Sequence, residues 1–153
     1  IVSLRKHFMS HSMQQQLDAQ QTLESSAGNI ARTAENDVQI REKLDQLRNL
    51  VEGQKLYLNP DLTIKDVARK MIVTDKELSA LINRFLGKNF SDYINEFRIA
   101  EAKLKLSDPK LKDEKIIFIA YESGFNSKAA FYSVFKKSTG MTPADYRKAS
   151  SDK

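Results

Sequence analysis

The chain has no cysteine, which excludes disulfides and every zinc site built on thiolates, and fits a reducing compartment. Histidine is nearly as scarce. His7 and His11 stand four apart, as one helix face could present them to a metal, but two ligands alone make a poor site. No metal and no cofactor is therefore expected. No histidine follows His11, and there is no Gly-rich phosphate loop and no Ser/His/Asp constellation, so an enzyme is not expected either. A run of ~18 apolar residues, the minimum for a membrane-crossing helix, is missing. The opening "IVSLRKHFM" is too short and too basic for a signal peptide, and its initial Ile suggests a piece of a longer protein.

What is present is charge and periodic apolar sequence. The 153 residues are 41% hydrophobic and 29% charged, the balance of a folded soluble chain. The net charge of +5 is unevenly placed: residues 1–59 carry seven basic and seven acidic side chains, residues 60–153 eighteen and thirteen. The basic excess belongs to the C-terminal part, and nucleic acid is one partner that such an excess suits.

Pro60 divides the chain. Before it, Leu23, Ala27, Ile30, Ala34 and Val38 recur at spacings of three and four, followed by an offset run at Ile40, Leu44, Leu47 and Val51. The pattern predicts an amphipathic helix or weak coiled coil whose register slips near Asp37. Residues 1–59 are accordingly expected to be a helical connector, part of a signalling or dimerisation region that extends beyond this chain. The expected domain boundary lies at 59/60, with the second domain spanning 60–150.

After Pro60 the punctuation becomes regular. Thr63 caps a short helix bearing Ile64, Val67, Ala68 and Met71, with Asp66 at its third position. Thr74-Asp75-Lys76-Glu77 is a capping box opening a second helix, whose inner face is Leu78, Leu81, Ile82 and Phe85 and which Gly87 ends. Two short helices about three residues apart predict a helix-turn-helix over about 63–87. Asn89 then caps a longer helix over about 90–106, with Phe90, Tyr93, Ile94, Phe97, Ala100 and Leu104 in one stripe.

The pattern restarts over about 114–138. Ile116, Ile119 and Ala120 repeat Ile64, Val67 and Ala68; Gly124-Phe125 makes the turn; Asn126 is the expected cap of a helix with Phe131, Val134 and Phe135 inside. A last helix, about 143–149, opens on Thr142-Pro143. "INRFLGKNFSDYINEFR" (82–98) and "FKKSTGMTPADYR" (135–147) share one skeleton, with Gly87, Phe90, Asp92 and Tyr93 answered 53 residues later by Gly140, Pro143, Asp145 and Tyr146. The expected fold is all-α: two helix-turn-helix subdomains joined by a long linker helix, preceded by an N-terminal helical segment. Phe85, Phe90, Tyr93, Phe97, Phe118, Phe125, Phe131 and Phe135 fall at core spacing and read as packing.

These residues resemble a family. "LTIKDVA", "LSALINRFLGKNFSDYINEFRIAEAKLKL" and "IIFIAYESGFNSKAAFYSVFKKSTGMTPADYR" are similar, in order, to the DNA-binding domain of AraC/XylS-type bacterial transcription regulators, over residues 60–148. The resemblance implies sequence-specific binding of double-stranded promoter or operator DNA. Two recognition helices would enter adjacent major-groove segments on one DNA face. It places Lys76, Ser79 and Ala80 of the first unit at base-reading positions, with Asn83 further along also facing bases and Arg84 suited to phosphate. In the second unit Lys128, Ala129, Tyr132 and Ser133 face bases, and Lys136 and Lys137 suit phosphates.

Ala80, Ala129 and Ser133 depart from the long polar side chains that many members carry there. More dependence on phosphate contacts and DNA shape is therefore expected. Asp75 and Glu77 would repel phosphates; Glu77 is better explained by its capping box. Arg98 also matches a family position and reads more readily as half of an internal salt bridge than as a DNA contact.

RNA polymerase is the implied partner of an activator, and a homodimer through residues 1–59 or a preceding part is the implied assembly. The implied location is the cytoplasm, with a full-length protein that some members anchor in the membrane. Two other classes compete: a helical protein-interaction module without DNA binding, and a basic amphipathic membrane-surface protein. The outward face of residues 126–137, with Lys128, Tyr132, Ser133, Lys136 and Lys137, suits a groove better than a protein or a lipid.

Overall fold

Short-range hydrogen bonds set most of the helix ends. In the computed structural model, which describes the backbone of residues 2–151 and the side chains of 13–151, the described residues contain helices and no strand. The side chains of His7 and His11 lie outside the described residues. Helix α1 (Val2–Arg48) runs into a π-helical turn (Asn49–Gly53) and a 3-10 turn (Leu56–Leu58). Then follow α2 (Ile64–Met71), α3 (Asp75–Leu81) with a π-helical turn (Ile82–Leu86), and α4 (Phe90–Ser107). After a 3-10 turn (Pro109–Leu111) come α5 (Ile116–Glu122), α6 (Lys128–Thr139) and α7 (Pro143–Ser151).

The chain divides into two compact units, one up to Glu42 and one from Lys43 onward. In the first, the described side chains of α1 leave Leu17, Leu23, Ile30 and Val38 exposed. Thr22 and Thr33 donate to the carbonyls four residues back, Asp18 and Asn29.

The second unit begins seventeen residues before Pro60, and the difference has a packing reason. Leu47, Val51 and Tyr57 are fully or nearly fully buried in the same cluster as Val67, Ala68, Met71, Leu78, Ile82, Tyr93 and Ile94. Of the offset apolar run, Leu47 and Val51 are part of this core. A second cluster joins Ile99, Ala102 and Leu106 of α4 to Ile119, Ala120, Phe125, Phe131 and Phe135. Each cluster contains one pair of short helices, so each helix-turn-helix has its own core.

Helix α4 serves both, and its buried face changes along its length. Tyr93, Ile94 and the half-buried Phe97 meet the first core, whereas Ile99, Ala102 and Leu106 meet the second. The single stripe expected through Ala100 and Leu104 does not hold: both are exposed, Leu104 at 71%. A helix between two cores on different sides has no single apolar face.

The repeated skeleton has a structural counterpart. Gly87 and Gly140 end their helices in the left-handed conformation, at φ of 66° and 76°. Asn89 accepts from the Asp92 amide, and Thr142 from the Asp145 amide. Tyr93 packs edge-on to Phe97 at 5.1 Å, and Tyr146 edge-on to Phe135 at 5.5 Å. The cap of α6 is Ser127, whose hydroxyl accepts from the Ala130 amide; the expected cap, Asn126, lies one residue too early to reach it. Phe85 and Phe118, expected to pack, are each 42% exposed.

Each unit also has an arginine tether, although the two arginines are 49 residues apart and stand outside the 53-residue repeat. Arg98 donates to the carbonyls of Tyr57 and Asn59 at 2.8 Å each, tying α4 to the segment before α2. Arg147 donates to the carbonyls of Lys112 and Glu114, at 3.4 and 2.7 Å, tying α7 to the segment before α5. Arg98 thus bonds backbone carbonyls, not the acid of a salt bridge.

One residue breaks the repeat. The turn after α2 places Ile72 at φ 57°, ψ 43°, where a β-branched side chain is strained, and leaves it 92% exposed. The corresponding turn of the second unit uses Gly124, at φ 90°. Ile72→Asn is expected to raise stability by about 1 kcal/mol, because left-handed strain is relieved and almost no burial is lost. A urea midpoint that stays or falls would contradict this.

Candidate nucleic-acid interface

In each helix-turn-helix the inner face of the second helix is consumed by its core, which leaves the outer face free. Leu78 and Ile82 are fully buried on the inner face of α3 and its π-helical turn, Phe131 and Phe135 on that of α6. The opposite faces present the expected site residues. Lys76, Ala80, Asn83 and Arg84 are exposed and Ser79 is half-buried. Lys128, Ala129, Ser133, Lys136 and Lys137 are exposed and Tyr132 is half-buried. The fold therefore gathers these residues on two separate helix faces of one compact unit.

Helices α3 and α6 are not copies. Helix α3 is regular only to Leu81, and Asn83 and Arg84 stand in the π-helical turn that follows, a local rewinding often found at functional sites. The Asn83 side-chain amide donates back to the Ser79 carbonyl at 2.9 Å and to the Ser79 hydroxyl at 3.3 Å. Its donor is occupied by its own helix, and a base contact would have to compete with that bond. The Arg84 guanidinium lies 5.5 Å from the centre of the Phe85 ring. This contact gives the exposed Phe85 a role: it steadies the arginine at the rim of the helix.

The first turn of α3 carries acid, and its chemistry is local. The Thr74 amide and hydroxyl donate to the Glu77 carboxylate at 2.8 and 2.9 Å, and the Glu77 amide donates to the Thr74 hydroxyl at 3.1 Å. Bonds from the Thr74 amide and hydroxyl hold the Glu77 carboxyl below the usual carboxylate range. Glu77 is therefore ionised and engaged in the cap, which agrees with the capping-box expectation. Asp66 repeats the arrangement on α2, held low by the Thr63 hydroxyl and amide.

Helix α6 is regular throughout its twelve residues. The Lys128 ammonium sits 5.4 Å from the centre of the Tyr132 ring, and that ring packs edge-on to Phe131 at 5.9 Å. Tyr132 thus belongs partly to the core and keeps only part of its ring for an outside partner. Lys136 and Lys137 occupy the last turn of α6, but their surroundings differ. Lys137 lines a cleft of about 230 Å³ with Asp92 and Glu96, and the Glu96 carboxylate is paired with Lys88 at 2.6 Å. Lys136 does not line that cleft.

Sequence reasoning missed what holds these faces in place. Residues 43–59 supply part of the first core, and Arg98 reaches the backbone of that segment across 41 and 39 residues. Only the offset run Ile40, Leu44, Leu47 and Val51 hinted at this, and a helical period does not say which surface it will meet.

A family model described as a helix-turn-helix domain matches residues 67–149. Over 106 residues, 69% of this chain, the sequence is 33% identical to an uncharacterized HTH-type transcriptional regulator of Staphylococcus aureus strain MSSA476, of which it covers 13%. Over 89 residues, 58% of this chain, it is 37% identical to the melibiose operon regulatory protein of Escherichia coli K12, of which it covers 28%. The chain thus spans a small part of the length of these relatives.

Among solved structures, it is similar to a transcriptional regulator from Chromobacterium violaceum described by its AraC-type DNA-binding domain. That match has a TM-score of 0.62 and 25% identity over 72% of this chain and 93% of the other. The C-terminal domain of AraT, a response regulator from Geobacillus stearothermophilus, matches with a TM-score of 0.58 and 28% identity, over 72% of this chain and 84% of the other.

Proposed function

The chain belongs to the AraC-type helix-turn-helix family of DNA-binding transcription regulators, and on that premise we propose that it reads an asymmetric operator with both of its recognition helices at once. Helices α3 and the start of its π-helical turn would enter one major-groove segment, and α6 the next, on one face of the duplex. The DNA-binding domain takes in residues from Lys43, so that residues 43–59 belong to it along with 60–150.

One observation carries the proposal: two polar, exposed recognition faces, each backed by its own core, sit on either side of a single 18-residue helix. At 1.5 Å per residue α4 is a rod of ~27 Å. Adjacent major-groove segments on one face are ~34 Å apart, and helices offset at both ends of such a rod can span that distance, with bending of the DNA taking up the difference.

Lys76, Ser79 and Ala80 are assigned to base edges in the first groove, and Lys128, Ala129 and Ser133 in the second. Asn83 and Tyr132 would contribute once freed from their intramolecular contacts. Arg84, Lys136 and Lys137 are assigned to phosphates. RNA polymerase and a second copy of the chain are proposed as protein partners on family grounds alone. No catalytic role is proposed.

Selection of bound sequences from a random duplex pool at two salt concentrations tests this. Two separated blocks spanning about two helical turns are expected. Salt-sensitive binding with no enriched motif would reject the two-groove reading, and no binding at low salt would transfer the case to protein interaction. Lys136→Ala should weaken binding to all sequences and reduce the salt slope by about one unit. Lys76→Ala should change the preferred base at one position of the first block and leave the second block alone.

A further inference from the structure

Gly124 occupies the turn of the second helix-turn-helix, yet its nearest neighbours belong to the first. A Cβ on Gly124 would run into the Tyr57 carbonyl oxygen and would lie 3.0 Å from both Arg98 Nε and Leu58 Cα. The obstacle is largely backbone, which cannot swing aside, so the turn approaches this closely only because the residue is glycine. Tyr57 is in turn held in the first core. Its ring stacks on Phe97 at 5.8 Å, its hydroxyl donates to Glu101 at 2.9 Å, and Glu101 pairs with Lys105 at 3.4 Å.

Arg98 closes the junction. Its guanidinium donates to the Tyr57 and Asn59 carbonyls on one side and lies 5.8 Å from the centre of the Phe125 ring on the other. Phe125 meets Phe131 of α6 edge-on at 5.1 Å, and Tyr57 shares a core with Leu78 and Ile82 of the first recognition helix. Phe125 thus stands between this planar fork and α6, and Tyr57 ties the fork to the core that α3 shares.

We propose that Arg98, seated against Gly124, is a positioning residue that fixes the distance and rotational phase between α3 and α6. On that account it sets the number of base pairs the protein requires between the two blocks of its operator. The proposal rests on the two-groove reading above. A helix such as α4 can bend and twist when it is the sole connection; the junction of Tyr57, Arg98 and Gly124 supplies a second connection beside it. Lysine could not replace Arg98, because an ammonium lacks the planar fork that meets two carbonyls and an aromatic face together.

The test compares the wild type, Arg98→Gln and Arg98→Lys on the selected operator and on versions with one or two base pairs inserted or removed between the blocks. In parallel, the distance between spin labels at Lys65 and Lys148, both exposed, is measured after their exchange for cysteine; the chain has no other cysteine to compete for label. One inserted base pair is expected to weaken the wild type about tenfold, the cost of a mismatched pair. Both variants should reduce that penalty to about threefold or less, keep the base preference within each block, and widen the label-distance distribution.

A folded variant that ranks the spacings as the wild type does would overturn the proposal. If Arg98→Gln fails to fold, Arg98→Lys is judged by the same criteria. A wild type that selects a single block rejects the two-groove reading by itself. The positioning role is then decided by the label distances, and an unchanged width in the variants overturns it.

Discussion

A chain that starts at Pro60 is expected to lose cooperative folding, whereas one that starts at Lys43 keeps it. The residues removed include Leu47 and Val51, fully buried, and Tyr57, 6% exposed. At about 1.5–3 kcal/mol for each large buried apolar side chain, their loss removes roughly 5–9 kcal/mol. That is comparable to the whole stability of an ordinary domain, about 5–15 kcal/mol.

Arg98 would also lose both of its carbonyl acceptors, on Tyr57 and Asn59. Thermal melting followed by circular dichroism distinguishes the outcomes. A chain from Pro60 that melts cooperatively at the midpoint of the chain from Lys43 would show that residues 43–59 only lie against the domain.

Phe131→Ala is the second change with a large expected effect, a loss of about 3–5 kcal/mol. Phe131 is fully buried, and the rings of Phe125, Phe135 and Tyr132 surround it at 5.1, 5.4 and 5.9 Å. Rigid rings close in poorly around a cavity, so the full cost of the void should appear. The urea midpoint measures the total, and amide exchange locates it: residues 128–139 should lose protection before residues 75–81, which belong to the other core. Phe118→Ala, at a 42% exposed ring, is the control and should change stability by no more than about 0.5 kcal/mol. Equal losses for the two phenylalanines, or simultaneous loss of protection in both helices, would contradict the separation of the cores.

The two predictions bear on what could be read directly. The order of the helices after Pro60 and the family resemblance were legible because their signals are local. A cap such as Thr74 with Glu77 closes its bonds within four residues, and glycine at 87 or 140 meets a conformational demand of its own position. The outward faces that carry Lys76 or Lys128 follow from the same arithmetic, since one helical period assigns both the buried face and its opposite.

Local rules fail where a residue answers to two surfaces or to distant backbone. Leu104 fits the period of α4 but is exposed, because the helix turns a different face to each core. Phe85 and Phe118 have the right spacing, yet each is 42% exposed. Asn83 has the right position, but its amide is spent on Ser79 in a π-helical turn that no spacing announces.

The sequence by itself determined the helices, their caps, the repeated unit and the family, because each rests on interactions between residues a few positions apart. Only the tertiary structure decided that residues 43–59 complete the first core, that Arg98 bonds carbonyls about forty residues away, and that Gly124 must be small to meet Tyr57. Those depend on which surfaces the folded chain brings together, and a one-dimensional period carries no record of that.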